Sequence, residues 1–429
     1  MDKMNTRHSS LSCFAFALFF FIVTGLPAVV LSQTTPLPPA AQAALDKGVI
    51  AAKLPDYLLA VKYFEEARKI APDEPVIYFN LGLAESKLPG RELRAIAWFA
   101  AYLAADPKVA NAAAVKEQIM VLGVKNRSNI SKLIKTLQET AIQLSGYKKT
   151  DGLQRVAELW AADGDVQTAL KTADLCGDLR DDNASGKPRA YSMVSVVQAK
   201  SGDMAGAQKT ADLIPMDDAD SAKRYLIDRV VAYSTIAEAQ SRSGDMVAAK
   251  RTFDLALRTA SLVPSQNAGM TLRLLAEAQA RGGDIPGAQK TIDLIQDKIY
   301  KDWAQGNVDS EAKKLAAGPK DQSGEQSAIN GSDWVRRLDD VYMYNVHVYE
   351  DSFAKGNAPL GNELFVDLPA HLKSLDGWKS PAEQMRYADM LGKPPADEKF
   401  FEALHETIEH LITADNAIGR MLRQATLKP

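Results

Sequence analysis

The chain has 429 residues, 46% of them hydrophobic, which is more than a single compact core organises and enough to bury apolar surface along its whole length. Its 26 glycines and 20 prolines are too few for a fibrous or disordered polymer. With 51 bases against 54 acids, the formal charge of −3 argues against general nucleic-acid binding, and a weak basic patch (Lys116, Lys125, Arg127, Lys132, Lys135) does not change that.

Residues 1–32 have the layout of a secretory signal peptide. Lys3, Arg7 and His8 precede an apolar core from Phe14 to Val23, and Gly25 and Pro27 then break the helix. Val30 and Ser32 supply small residues before a cut after Ser32. An uncleaved anchor is the alternative, since residues 9–32 carry no charge and are long enough to span a bilayer. The breakers and the polar, Pro-rich linker at 33–40 favour cleavage, and with it an exported protein, periplasmic or extracellular. Cleavage removes Cys13 and leaves Cys176 alone, so no internal disulfide is available and the fold rests on packing. Cys176 is expected to be a buried structural thiol.

Residues 41–107 read as two helical hairpins. The first carries Gly48, a turn at Pro55-Asp56-Tyr57, then Ala60, Phe64, Ala67 and a closing Pro72. The second repeats the scheme with Tyr78, Leu81-Gly82, Pro89-Gly90, Ala95, Phe99 and Pro107. Residues 128–147 read as a single bridging helix, with Ile130, Leu133, Ile134, Leu137 and Ala141 at helical spacing.

Residues 151–300 contain the pattern Gly-Asp-x-x-x-Ala-x-(Lys/Arg)-Thr-x-Asp-Leu four times, starting at Gly164, Gly202, Gly244 and Gly283. The spacings of 38, 42 and 39 residues mark a helical repeat array. Gly suits the left-handed residue that closes the first helix of each unit, and Asp suits the N-cap of the second. Aligned columns read Leu153, Tyr191, Tyr233, Leu272; Val156, Val194, Ile236, Leu275; Ala157, Ser195, Ala237, Ala276; and Ala169, Ala207, Ala249, Ala288.

These hairpins resemble the tetratricopeptide repeat, with Gly48, Asp56, Tyr57, Ala60, Phe64, Ala67 and Pro72 as the best-matched set. The four later units are tetratricopeptide-like: longer than the family's 34 residues and without the closing Pro. The resemblance covers about 220 residues and implies a right-handed all-α solenoid that binds a protein or peptide on its concave face. That face would be lined by the first helix of each hairpin. The matching residues are Glu158, Glu238 and Glu277, with Lys200, Arg242, Arg273 and Arg281 nearby. Glu238–Arg242 and Glu277–Arg281 are spaced as i,i+4 ion pairs. The clamp by which some relatives hold a C-terminal carboxylate is unsupported: only Asn80 matches, and Leu45 and Val49 stand at polar positions.

Lys171, Lys209, Arg251 and Lys290 precede Asp174, Asp212, Asp254 and Asp293 by three residues. They are expected to form a solvated face with weak ion pairs; a striped docking surface is the sharper alternative. Residues 305–331 read as a linker and 332–429 as a separate helical module or a long cap on the solenoid.

Catalytic signatures are absent from the sequence, and no cofactor is implied. His405 and His410 are five residues apart, about 140° around a helix, where zinc-protease histidines need a spacing of four. Two alternatives to a non-catalytic scaffold stay open. One is an enzyme with its site in 332–429, marked by clustering of His347, His371, His405 and His410. The other is a scaffold tethered by an uncleaved N-terminal helix. Sequons at Asn126, Asn129, Asn183 and Asn330 matter only in a host that glycosylates exported proteins.

Overall fold

The computed structural model describes residues 36–88, 91–105, 108–177, 186–216 and 225–317, and ten positions within 398–415. The signal peptide expected at 1–32, and residues 332–397 of the C-terminal module, lie outside the described residues. Among the described residues the protein is all-α, with fourteen helices. They divide into two compact units. The first holds the described residues up to Asn129 together with Asp415; the second holds 130–317 and the described residues of 398–412.

In the first unit, α1 (Pro39–Lys53) and α2 (Tyr57–Ile70) form one hairpin, and α3 (Pro75–Glu85) and α4 (Glu92–Ala105) another. Helix α1 starts inside the expected 33–40 linker, because Pro39 at its first turn sacrifices no hydrogen bond. Asp56 caps α2, its side chain accepting from the Leu59 amide at 3.0 Å. The small-residue and aromatic columns meet as the pattern predicts. A Cβ on Gly48 would lie 2.3 Å from the ring of Phe64, and one on Gly82 would lie 2.7 Å from the ring of Phe99. Both rings are fully buried, so each glycine sets the distance of closest approach between its two helices.

The helix expected at 128–147 is longer and starts earlier: α5 runs Ala112–Gln143 and contributes residues to each unit. The Ala-rich start at 112–114 and the Lys/Glu residues after it are strong helix formers, which a search for apolar spacing passes over. It stops before Gly146, whose φ of 59° lets the chain turn into α6. The sequon residue Asn126 lies buried on α5, donating to Asp415 at 3.1 Å.

The second unit is a row of hairpins: α6 (Gly146–Asp163) with α7 (Val166–Asp174), α8 (Gly186–Ser201) with α9 (Met204–Asp212), α10 (Leu226–Arg242) with α11 (Met246–Ala260), and α12 (Ser265–Arg281) with α13 (Ile285–Asp293). Helix α14 (Lys298–Ala316) follows. Each first helix packs on its own second helix and on the next first helix; each second helix packs on the next first helix. Helix α14 takes the place of a further first helix. The linker expected at 305–331 is therefore helix up to Ala316, held by buried Ala304 and Val308 and by a Glu311–Lys314 pair at 2.9 Å.

The four Gly-Asp junctions are built alike. Gly164, Gly202, Gly244 and Gly283 have φ of 95°, 95°, 89° and 85°. The amide of each following Asp closes back on the carbonyl five residues earlier, at 2.8–3.0 Å, while its carboxylate caps the next helix. All four aligned apolar and small columns are buried. Where the small column holds a serine, Ser195 donates to the carbonyl of the crossing Ala207 at 2.8 Å. Extra repeat length does not lengthen the second helices: α7, α9 and α13 have nine residues each, and only α11 reaches fifteen.

Candidate functional site: the face of the first helices

Among the residues expected to line a binding face, Glu238 is the best connected. Arg242 reaches it at 2.8 Å from one turn along α10, and Arg281 at 2.9 Å from α12. The Glu277–Arg281 pair suggested by spacing is thus not made. Arg281 crosses to the neighbouring helix instead, and Glu277 pairs with Arg273 at 2.6 Å. Asn307 of α14 also donates to Glu277, at 2.7 Å, and the Arg273 guanidinium lies 6.0 Å from the ring centroid of Trp303. Across these repeats, the glutamate six residues before the Gly meets a cation or an amide on the following first helix. The heads stay wet: Arg242 is 64% exposed and Arg281 42%. Each such pair contributes ~0–1 kcal/mol, so the chain of charges orients more than it stabilises.

Glu158, at the same position on α6, sits differently. Burial, and then the charge of Glu409, raise its pKa above the usual carboxylate value; Lys200, Arg155 and Arg189 pull the other way. Glu409 belongs to the 398–412 segment, whose described residues are helical and pack in the second unit. The described residues of 398–412 thus belong to the second unit. The reason is the apolar spine Phe401, Leu404, Ile408 and Ile412, which is buried and needs a partner face. Gly152 makes room: a Cβ there would lie 3.3 Å from both the Phe401 ring and Ala141. Arg155 lies with its guanidinium carbon 5.2 Å from the Phe401 ring centroid and grips both oxygens of Glu402 at 2.6 and 2.9 Å. It also meets His405 Nδ1 at 3.0 Å, and Lys148 pairs with Glu398. His405 is buried in this contact, while His347, His371 and His410 lie outside the described residues. Nothing in the sequence points to this contact, which joins residues 247 apart.

The Asp row does not form the i,i+3 pairs expected of it at its first two positions. Asp174 accepts from the Tyr191 hydroxyl and pairs with Lys187 at 2.6 Å; Asp212 accepts from Tyr233 at 2.6 Å and faces Arg229 at 3.4 Å. Each cation also lies over its tyrosine ring, at 5.6 and 5.2 Å. These aspartates clamp one repeat to the next. Of the carboxylate-clamp positions, Leu45 is buried, and Asn80 donates to its own helix at the Val76 carbonyl. Cys176 is buried, with its thiol pushed up to about 12 by burial.

A polar relay unseen in the sequence lies beneath the face. Thr210 donates to Gln198 Oε1 and Thr291 to Gln279 Oε1, each at 2.7 Å and buried. The first repeat has Trp160 where the others have Gln, and Gln138 of α5 supplies the missing acceptor: Trp160 Nε1 and Thr172 Oγ1 donate to it at 2.8 and 3.1 Å. In the third repeat Thr252 bonds to Ala248 instead, leaving Gln240 Oε1 buried without a partner.

Comparison of the chain with family models, with curated proteins and with solved structures gives no match in any of the three. Among the described residues, no group of three or more His, Cys, Asp or Glu is placed to hold a metal ion. No helix among them is long and apolar enough to cross a membrane.

Proposed function

We propose that this chain is an exported, non-catalytic scaffold: a right-handed solenoid of tetratricopeptide-like hairpins that binds a protein or peptide partner on the face of its first helices. One observation carries the reading. Helices α6, α8, α10, α12 and α14 pack each on the next, and on α10 and α12 the Glu238, Arg242, Arg281, Glu277 and Arg273 heads form a partly exposed line of mixed charge. Rows of this kind suit an extended ligand with alternating charge, and a preformed surface lowers the ordering cost of binding. The charges give specificity and encounter rate more than affinity. The location rests on the layout of residues 1–32, which also leaves the membrane as a contact only if that segment stays uncleaved.

The test is capture from a native cell envelope by the chain lacking residues 1–32, beside a version with Glu238→Arg, Glu277→Arg and Arg281→Glu. A partner held by the first and lost by the second, with unchanged circular dichroism melts, supports the reading. Equal recovery on both overturns it.

A further inference from the structure

The contact between 398–412 and α6 differs from every other helix pair in the second unit. The remaining pairs join neighbours in the chain; this one recruits a helix from 250 residues away. Its two sides match as stripes. Helix α6 presents Lys148, Gly152 and Arg155, one turn apart, and the segment answers with Glu398, Phe401, Glu402 and His405 at the same spacing. Gly152 is the hole and Phe401 the knob.

Several features make the fit exchangeable rather than permanent. Four buried apolar side chains stand against the entropy of ordering a helix of this length, which is a close balance. Both charged anchors have exposed carboxylates, with Glu398 at 50% and Glu402 at 53%, where ion pairs add little. One charge is adverse: Glu409, which lies 3.5 Å from His405 Nδ1, disfavours the ionised form of the half-buried Glu158.

We propose that the slot beside α6 is a docking site for an amphipathic helix of a partner protein, and that the chain's own residues 398–412 hold it closed in the free protein. The partner helix has an apolar spine at i, i+3, i+7 and i+11, with an aromatic residue at i for Gly152. It has a carboxylate at i+1 for Arg155. An uncharged residue at i+8 relieves the Glu409–Glu158 opposition, giving the partner its advantage over the resident segment. The inference rests on reading the first helices as a protein-binding face. It concerns α6 alone, so its failure leaves the Glu238–Arg281 line on α10 and α12 untouched, and the charge-reversal capture reads that line separately.

The probe is a fluorescein-labelled synthetic peptide of residues 396–414 with Glu409→Gln, titrated by anisotropy against the full-length chain. The comparison chain carries Leu404→Asp and Ile408→Asp, which eject the resident helix and leave α6 intact. The opened chain is expected to bind at least tenfold more tightly than the wild type. Adding Arg155→Glu should weaken that binding about tenfold, and a peptide with Glu402→Arg should restore it. Equal binding by wild-type and opened chains, or no binding by either, overturns the proposal. Should the opened chain fail to fold, hydrogen exchange on the wild type decides: excess peptide should speed exchange in 398–412, and unchanged protection overturns the proposal. A wild-type chain that sediments as a dimer through exchanged 398–412 segments would make a second copy the occupant, and overturns the assignment to a partner protein.

Discussion

The hydroxyl of Tyr233 on α10 donates to Asp212 at the end of α9, at 2.6 Å, tying the second helix of one repeat to the first helix of the next. Burial first, and then this hydrogen bond, push the Tyr233 hydroxyl up to about 12. Tyr233→Phe should cost about 1–2 kcal/mol in urea denaturation, since it leaves Asp212 with the longer contacts to Gln208 at 3.1 Å and Arg229 at 3.4 Å. The pH dependence has a definite sign. The unfolded tyrosine loses its proton from pH 10 and the folded one only near 12, so wild-type stability falls across that window. Tyr233→Phe should lose that component of the fall.

Two glutamines on equivalent duty should respond in opposite directions. Gln138→Leu strands the buried indole N–H of Trp160, while Thr172 keeps the Thr168 carbonyl at 2.8 Å, and should destabilise by about 1–3 kcal/mol. Gln240→Leu removes an acceptor that already lacks a partner, and should be neutral or stabilise by about 1 kcal/mol. Urea midpoints of the two variants check this; a shift of the same sign and size in both would contradict the relay.

At the junctions, Gly244→Ala forces a Cβ onto a residue with φ of 89° and should cost about 1–2 kcal/mol, although open space surrounds the position. Asp245→Ala removes the cap on the Ala248 amide and should cost about 1 kcal/mol. Gly202→Ala should cost a similar amount, because the backbone geometry repeats, and Asp203→Ala somewhat more than Asp245→Ala, because Asp203 also accepts from Gln198 at 3.0 Å. Thermal melts of the four variants would test both comparisons.

Asp228 is buried, and its carboxyl is pushed up to about 6, with Arg189 at 3.7 Å as a partial offset. The folded state thus holds a proton that the unfolded chain releases near 3.8, so this group's contribution to stability is lost as pH rises from about 4 through 6. Asp228→Asn should therefore raise stability at pH 7 by roughly 1–3 kcal/mol and leave it unchanged near pH 3. Equal melting shifts at both pH values would show that Asp228 acts through packing.

The junction chemistry was fully legible in the sequence, because left-handed glycines and capping aspartates act within a few residues of themselves. The buried columns were legible for a related reason: a period of 38–42 residues exposes them by alignment. Contacts that link residues without sharing a register were not. Arg281 reaching Glu238 in place of Glu277, and the aspartates turning to Tyr191 and Tyr233, depend on which way a long side chain leans between two packed helices. Gln138 standing in for a repeat glutamine could have been suspected only from the one repeat that carries Trp160 in its place.

The bidentate grip of Arg155 on Glu402 also sets a timetable. Helix α6 leaves the ribosome 247 residues before its partner segment, a lag of about 12–50 s at ordinary rates of synthesis. Throughout that interval the Gly152 hollow and the Arg155 guanidinium face the surroundings without their eventual cover. The nascent chain is thus open to a helix from elsewhere before it ever meets its own.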